Sequence, residues 1–170
     1  MRNTFFLMLA ILVVFAACSK SDNHENCPYV PNTQVAPAAE IANLKAWLDA
    51  GSIQYTQHPS GIFYQVITQG AGATPTVCSN VTVKYKGTLL NGAGFDSSYV
   101  RDPGGTSFTL GEVIAGWQIG IPLVQQGGSM ILYIPPSLGY GAQIKRDQNG
   151  NIVIPANSNL IFKTELVGVQ

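Results

Sequence analysis

Charge is scarce in this 170-residue chain: only 11% of residues are Asp, Glu, Lys or Arg, nine of each sign, and the formal net charge is zero. A nucleic-acid surface needs clustered cations to displace phosphate counterions. Here Lys84 and Lys86 fall on one face of a strand-like run and Lys145-Arg146 is the one adjacent basic pair, so no nucleic-acid partner is expected. Histidine is scarcer still. His24 and His58 are the only two, and neither stands at a metal-binding spacing from cysteine or carboxylates, so no metal site is expected. Ser97-Ser98 lack a nearby base, and Gly104-Gly105 and Gly127-Gly128 lack the strand, Gly-rich turn and helix of a phosphate loop. No cofactor is implied. Internal repeats are absent, and a single apolar run, residues 5–17, is too short to cross a bilayer comfortably as a helix. Whatever site exists must be hydrophobic.

That run has its own meaning. Arg2 gives a positive start, Phe5 to Ala17 has the length of a signal h-region, and Ala16-Ala17 precede Cys18. The pattern resembles a bacterial lipoprotein signal cleaved before Cys18, with Phe15 standing where Leu is commoner and a plain secretory signal as the alternative. Residues 1–17 are then a signal peptide, Cys18 the lipidation site, and the chain is exported and lipid-anchored to a bacterial membrane, on its periplasmic or surface side. Two cysteines remain, Cys27 and Cys78. An even pair in an oxidising compartment suggests a disulfide that would pin the N-terminal extension to the domain; two unpaired thiols are the alternative.

Polar residues with Pro28 and Pro31 make 18–36 read as a flexible tether. A helical extension is expected over 37–60: Ile41, Leu44 and Leu48 recur at helical spacing beside Trp47, and Gly51 is placed to stop the helix. Such a short helix is marginal alone, so its stripe should dock on the domain, which favours a monomer. Strands are expected at 61–68, 77–90, 107–110, 129–134 and 159–167, where β-branched and aromatic residues gather. Val81, Val83 and Tyr85 alternate with Thr82, Lys84 and Lys86, the period of a half-buried strand, and Asn91-Gly92 follows as a turn. The one helix expected inside the domain runs from Ile114 to about Val124, shortened at its end by Pro122. One helix against several antiparallel strands is an α+β arrangement. Residues 147–151 look like the tip of a hairpin excursion.

The most specific signal is a series of landmarks: Tyr85-Lys86-Gly87, Phe95-Asp96-Ser97-Ser98, Gly111 through Trp117, Pro136 through Ala142, Ile154-Pro155-Ala156 and Leu160-Ile161-Phe162. In order, spacing and residue type they resemble the FKBP-type peptidyl-prolyl cis-trans isomerases, over about residues 61–170. The resemblance implies an antiparallel β-sheet wrapped around one short α-helix, and an activity on Xaa-Pro bonds of exported, Pro-containing polypeptides. It implies a catalytic set of Tyr85, Phe95, Asp96, Trp117, Tyr140 and Phe162. Trp117 would be the floor, Tyr140 a hydroxyl donor to substrate, and Asp96 a buried carboxylate that orients the pocket. Arg101 falls at that carboxylate's partner position. Val113 and Ile114 would bind substrate, with the Ile114 N–H meeting a carbonyl, and Ile154 would sit on the flap. The loop 102–107 lacks an aromatic that the family often carries, so the pocket is expected to be wider there.

The chemistry needs little else. Resonance gives a prolyl bond a rotation barrier of roughly 18–20 kcal/mol. A dry, donor-poor site destabilises the planar amide relative to the twisted one, and each ~1.36 kcal/mol of difference is tenfold in rate. The reading from another class is a non-catalytic binding module or chaperone that grips apolar or Pro-containing segments. Only the enzyme needs turnover.

Overall fold

The computed structural model describes residues 27–170. The expected signal peptide, Cys18 and the first part of the tether lie outside the described residues. In chain order the elements are α1 (Ala38–Ala50), β1 (Thr56–Gln57), β2 (Phe63–Thr68), β3 (Asn80–Leu89), β4 (Gly94–Ser97), α2 (Ser98–Arg101), β5 (Thr106–Thr109), α3 (Ala115–Gly120), β6 (Ser129–Ile134), β7 (Lys145–Arg146), β8 (Ile152–Ile154) and β9 (Leu160–Val169). Single 3-10 turns at Leu110–Glu112, Ile121–Leu123 and Pro136–Leu138 join them.

Seven strands form one antiparallel sheet in the order β1-β2-β6-β9-β3-β4, with β5 sharing the β4 edge of β3. The pairing of β3 with β9, from Val81↔Val169 to Leu89↔Leu160, is its spine. Alternation decides which face each side chain takes. Along β3, Val81, Val83 and Tyr85 turn inward, and along β6 Met130, Leu132 and Ile134 do the same, all joining one core beneath α3. Phe63 and Tyr133 turn to the opposite face, where Leu44 and Leu48 of α1 meet them. Both leucines are fully buried, so the stripe docks on this chain's own sheet. Burying each contributes about 1.5–3 kcal/mol, which is what holds so short a helix in place.

Helix α3 is shorter than the sequence pattern predicts. Pro122 lacks an N–H and its ring crowds the carbonyl four residues earlier, so the chain tightens into the 3-10 turn Ile121–Leu123. The helix lies almost on β6. A Cβ at Gly116 would run into Ile134 and one at Gly120 into Leu132, so glycine at both positions lets the helix come this close. The excursion at 145–154 is a hairpin of β7 and β8, its tip organised by Asp147, whose carboxylate accepts from the Asn149 N–H at 2.9 Å and the Asn151 N–H at 2.8 Å.

Residues 27–36 form the described part of the expected tether. This segment lacks regular structure but is fastened as a strap. Cys27 and Cys78 are joined by a disulfide with Cα atoms 5.7 Å apart. At the other end Ala36 is buried, and its N–H donates to the Ser60 carbonyl at 2.9 Å. Between them Tyr29, Asn32 and Gln34 bond to the domain. The polar side chains of this segment are its fastenings.

Candidate active site

A cavity of about 300 Å³ opens on the inner face of the sheet, lined by Tyr85, Phe95, Asp96, Phe108, Glu112, Val113, Ile114, Trp117, Tyr140 and Phe162. Each comes from an identifiable device. Tyr85 points inward from β3, Phe162 from β9, and Trp117 from the first turn of α3. Four rings close around the indole and one another. Centroids lie 5.2 Å apart for Tyr85 and Trp117, 5.0 Å for Trp117 and Phe162, 5.4 Å for Phe95 and Phe162, and 5.4 Å for Phe108 and Trp117. The first three pairs are edge-to-face, the geometry the ring quadrupole favours. Trp117 is only 5% exposed and forms the floor.

Three polar side chains are held together at the rim of the cavity. The Tyr85 hydroxyl donates to Asp96 Oδ2 at 2.7 Å and accepts from Arg101 Nη2 at 3.0 Å, while Arg101 Nη1 meets Asp96 Oδ1 at 3.2 Å. Burial pushes the Tyr85 phenol up to about 12; the bond to Asp96 adds to this and Arg101 opposes it. Ser98, buried at the start of α2, accepts the Tyr85 N–H at 2.8 Å and fixes the strand behind the ring. The Tyr140 phenol is also raised, by burial first and then by the Asp96 charge. Among the described residues its hydroxyl has no hydrogen bond to the protein, and Lys145 Nζ from the hairpin stands 4.6 Å from its ring centroid. Ile114 caps α3 with its carbonyl, which accepts the N–H groups of Trp117 and Gln118 at 2.9 and 3.2 Å.

Eight of the residues picked out from sequence therefore meet around one cavity: Tyr85, Phe95, Asp96, Val113, Ile114, Trp117, Tyr140 and Phe162. Two do not. Arg101 sits behind Asp96 and Tyr85 without lining the cavity, and Ile154, only 4% exposed, packs in the core beside it. Asp96 is not the buried carboxylate expected; its side chain is 42% exposed at the pocket rim. Phe108 and Glu112 were not singled out as site residues. Phe108 supplies the ring on the side where loop 102–107 has none, and its place in a Thr-Ser-Phe-Thr alternation was the available signal. Among the described residues no cluster of His, Cys, Asp or Glu could hold a metal ion.

The geometry defines a class: an antiparallel sheet with one short helix, carrying an aromatic-lined cavity with hydrogen-bonding groups at its rim. Residues 72–167 match the family described as FKBP-type peptidyl-prolyl cis-trans isomerase, and the chain belongs to that family. Among curated proteins it is similar to the FKBP-type peptidyl-prolyl cis-trans isomerase FkpA of Escherichia coli, 43% identical over 112 residues that cover 65% of this chain and 38% of that one. The peptidyl-prolyl cis-trans isomerase Mip of Coxiella burnetii is 41% identical over 111 residues, covering 65% and 46%. The crystal structure of FkpA from Escherichia coli superposes with a TM-score of 0.65 at 38% identity, covering 78% of this chain and 60% of that one. The matched stretch spans less than half the length of the two curated relatives.

Proposed function

We propose that the protein is a peptidyl-prolyl cis-trans isomerase acting on exported, Pro-containing polypeptides. The observation that carries this reading is the box of Tyr85, Phe95, Phe108, Trp117 and Phe162 beside an unbonded Tyr140 hydroxyl. A proline ring settles on Trp117. The aromatic walls exclude water from the amide, which weakens solvation of the planar, charge-separated form relative to the twisted one. The Tyr140 hydroxyl and the Ile114 N–H hold carbonyls on either side of the bond, so the chain ends are fixed while the amide turns. Tyr85, Asp96 and Arg101 brace the wall. No proton or electron pair leaves the substrate.

The same reading places the protein outside the cytoplasm as a monomer, held to a bacterial membrane through lipid on Cys18. Its support is the residue pattern before Cys18 and the Cys27–Cys78 bridge, a bond characteristic of oxidising compartments. No helix among the described residues is long and apolar enough to cross a membrane.

The test is cis-trans exchange of short Xaa-Pro peptides followed by NMR exchange spectroscopy, with wild type beside Trp117→Leu and Tyr140→Phe. Acceleration by wild type that falls at least tenfold in Trp117→Leu, about 1.4 kcal/mol of lost transition-state preference, is the expected result. A folded wild type that binds the peptide without accelerating exchange would replace the enzyme by a binding module.

A further inference from the structure

The strap 27–36 lands on the back of the pocket wall. We infer that Asn32 and Tyr29 are positioning residues that hold the wall 111–114 through Gln118 and Glu112, making the N-terminal strap part of the site's architecture. The inference rests on the isomerase reading for its activity readout, although its geometry is independent of it.

Gln118 follows Trp117 in α3. Its Nε2 donates to the carbonyls of Val113 at 2.7 Å and Gly111 at 3.1 Å, so one side-chain amide ties the wall to the helix that carries the floor. With both donors used this way, the remaining Oε1 needs a donor, and Asn32 Nδ2 supplies it at 3.2 Å. That bond fixes which way the amide faces. A second fastening lies beside it. The Tyr29 ring sits so close over Gly111 that a Cβ there would collide with it, and the Tyr29 hydroxyl donates to Glu112 Oε1 at 2.8 Å. Glu112, Val113 and Ile114 all face the cavity on their other side. The wall is therefore held from behind by the strap.

The strap can bear this load because it is itself anchored. The Cys27–Cys78 disulfide fixes one end two residues before Tyr29, and the bonds of Gln34 Nε2 to the Ser137 carbonyl and of the Ala36 N–H to Ser60 fix the other, both at 2.9 Å. A merely stabilising strap could have bonded anywhere along the domain. Here Tyr29 and Asn32 reach the segment that presents the Ile114 N–H.

The test uses the full chain, a Leu-Pro tetrapeptide as substrate, and the variants Asn32→Ala, Tyr29→Phe, Gln118→Ala and the Asn32→Ala/Gln118→Ala pair. Leu44→Val, on the far side of the sheet, controls for lost stability alone. Removing the Asn32 bond is expected to lower kcat/KM about fivefold, mostly through kcat. The double variant should be no worse than Gln118→Ala within about twofold, because the two act as one unit. The Ile114 amide resonance should move, and its hydrogen exchange quicken, in Asn32→Ala and not in Leu44→Val. Wild-type turnover that is matched by Asn32→Ala overturns the inference and leaves the isomerase reading intact. If wild type itself does not turn over, the isomerase reading falls, and an Ile114 amide unmoved in Asn32→Ala overturns the positioning role as well.

Discussion

Two apolar clusters lie on opposite faces of the same sheet and differ in what covers them. On the outer face Phe63 and Tyr133 are roofed by Leu44 and Leu48 of α1, a helix of 13 residues, and Tyr55 completes the packing with its ring 5.1 Å from Phe63. On the inner face α3 has only 6 residues, and it lies close to β6 over Leu132 and Ile134. The rings of Tyr85, Phe95, Phe108, Trp117 and Phe162 are left around a cavity. Residue type alone does not separate the two clusters. The pocket is a stretch of core left open beside the N-terminal end of α3, where Val113, Ile114 and Trp117 line it.

The comparison can be broken by removing one ring from each face. The largest stability effect belongs to the outer cluster. Phe63→Ala opens a void under α1, and unfolding in denaturant should show a loss of about 3–5 kcal/mol. Turnover per folded molecule should stay at the wild-type value, and a proportionate fall in turnover would mean that the two faces are coupled. Trp117→Leu keeps most of the apolar volume and should cost less stability than Phe63→Ala, yet its exchange rate should fall at least tenfold, as argued above. Equal stability losses with equal turnover would erase the distinction between core and pocket.

Much of this contrast was legible in the sequence. The alternation of Val81, Val83 and Tyr85 placed β3, and Ile41, Leu44 and Leu48 placed α1, since both patterns report a face turned from water. Eight pocket residues were legible through the family landmarks. Burial inside the site was not: the family resemblance implies a buried Asp96, but the chain's path sets it at the rim with Arg101 outside it. Ile154 stands in the right stretch but turns into the core, at 4% exposure. The strap was hidden for a different reason. Its contacts are polar and long-range, Asn32 with Gln118 and Tyr29 with Glu112, and no local periodicity encodes a bond across more than 80 positions. Short β1 and β4 and the single turn α2 escaped as well, since too few residues form them to show a period.

The smallest expected effect is one of pH on the inner face. Tyr85 titrates at about 12 in the folded protein against an ordinary value of 10.0, because burial and then the Asp96 bond favour the neutral phenol. A raised folded value means that the phenol's contribution to stability is complete below pH 10 and fades as pH climbs through 12. Tyr99 adds to the same window, being raised to about 12 by burial and its bond to Glu165. Tyr85→Phe removes one of these two groups. Its stability, followed by urea unfolding, should fall less steeply than wild type between pH 10 and 12 while tracking it in parallel at lower pH. Peptide turnover should be flat from about pH 6 to 9, since a twisting amide exchanges no proton with these phenols. An unchanged slope in Tyr85→Phe would show that the Tyr85 proton is not held by Asp96 and the walls of the pocket. A bell-shaped rate profile would show proton transfer in a site built from aromatic walls and would overturn the desolvation mechanism.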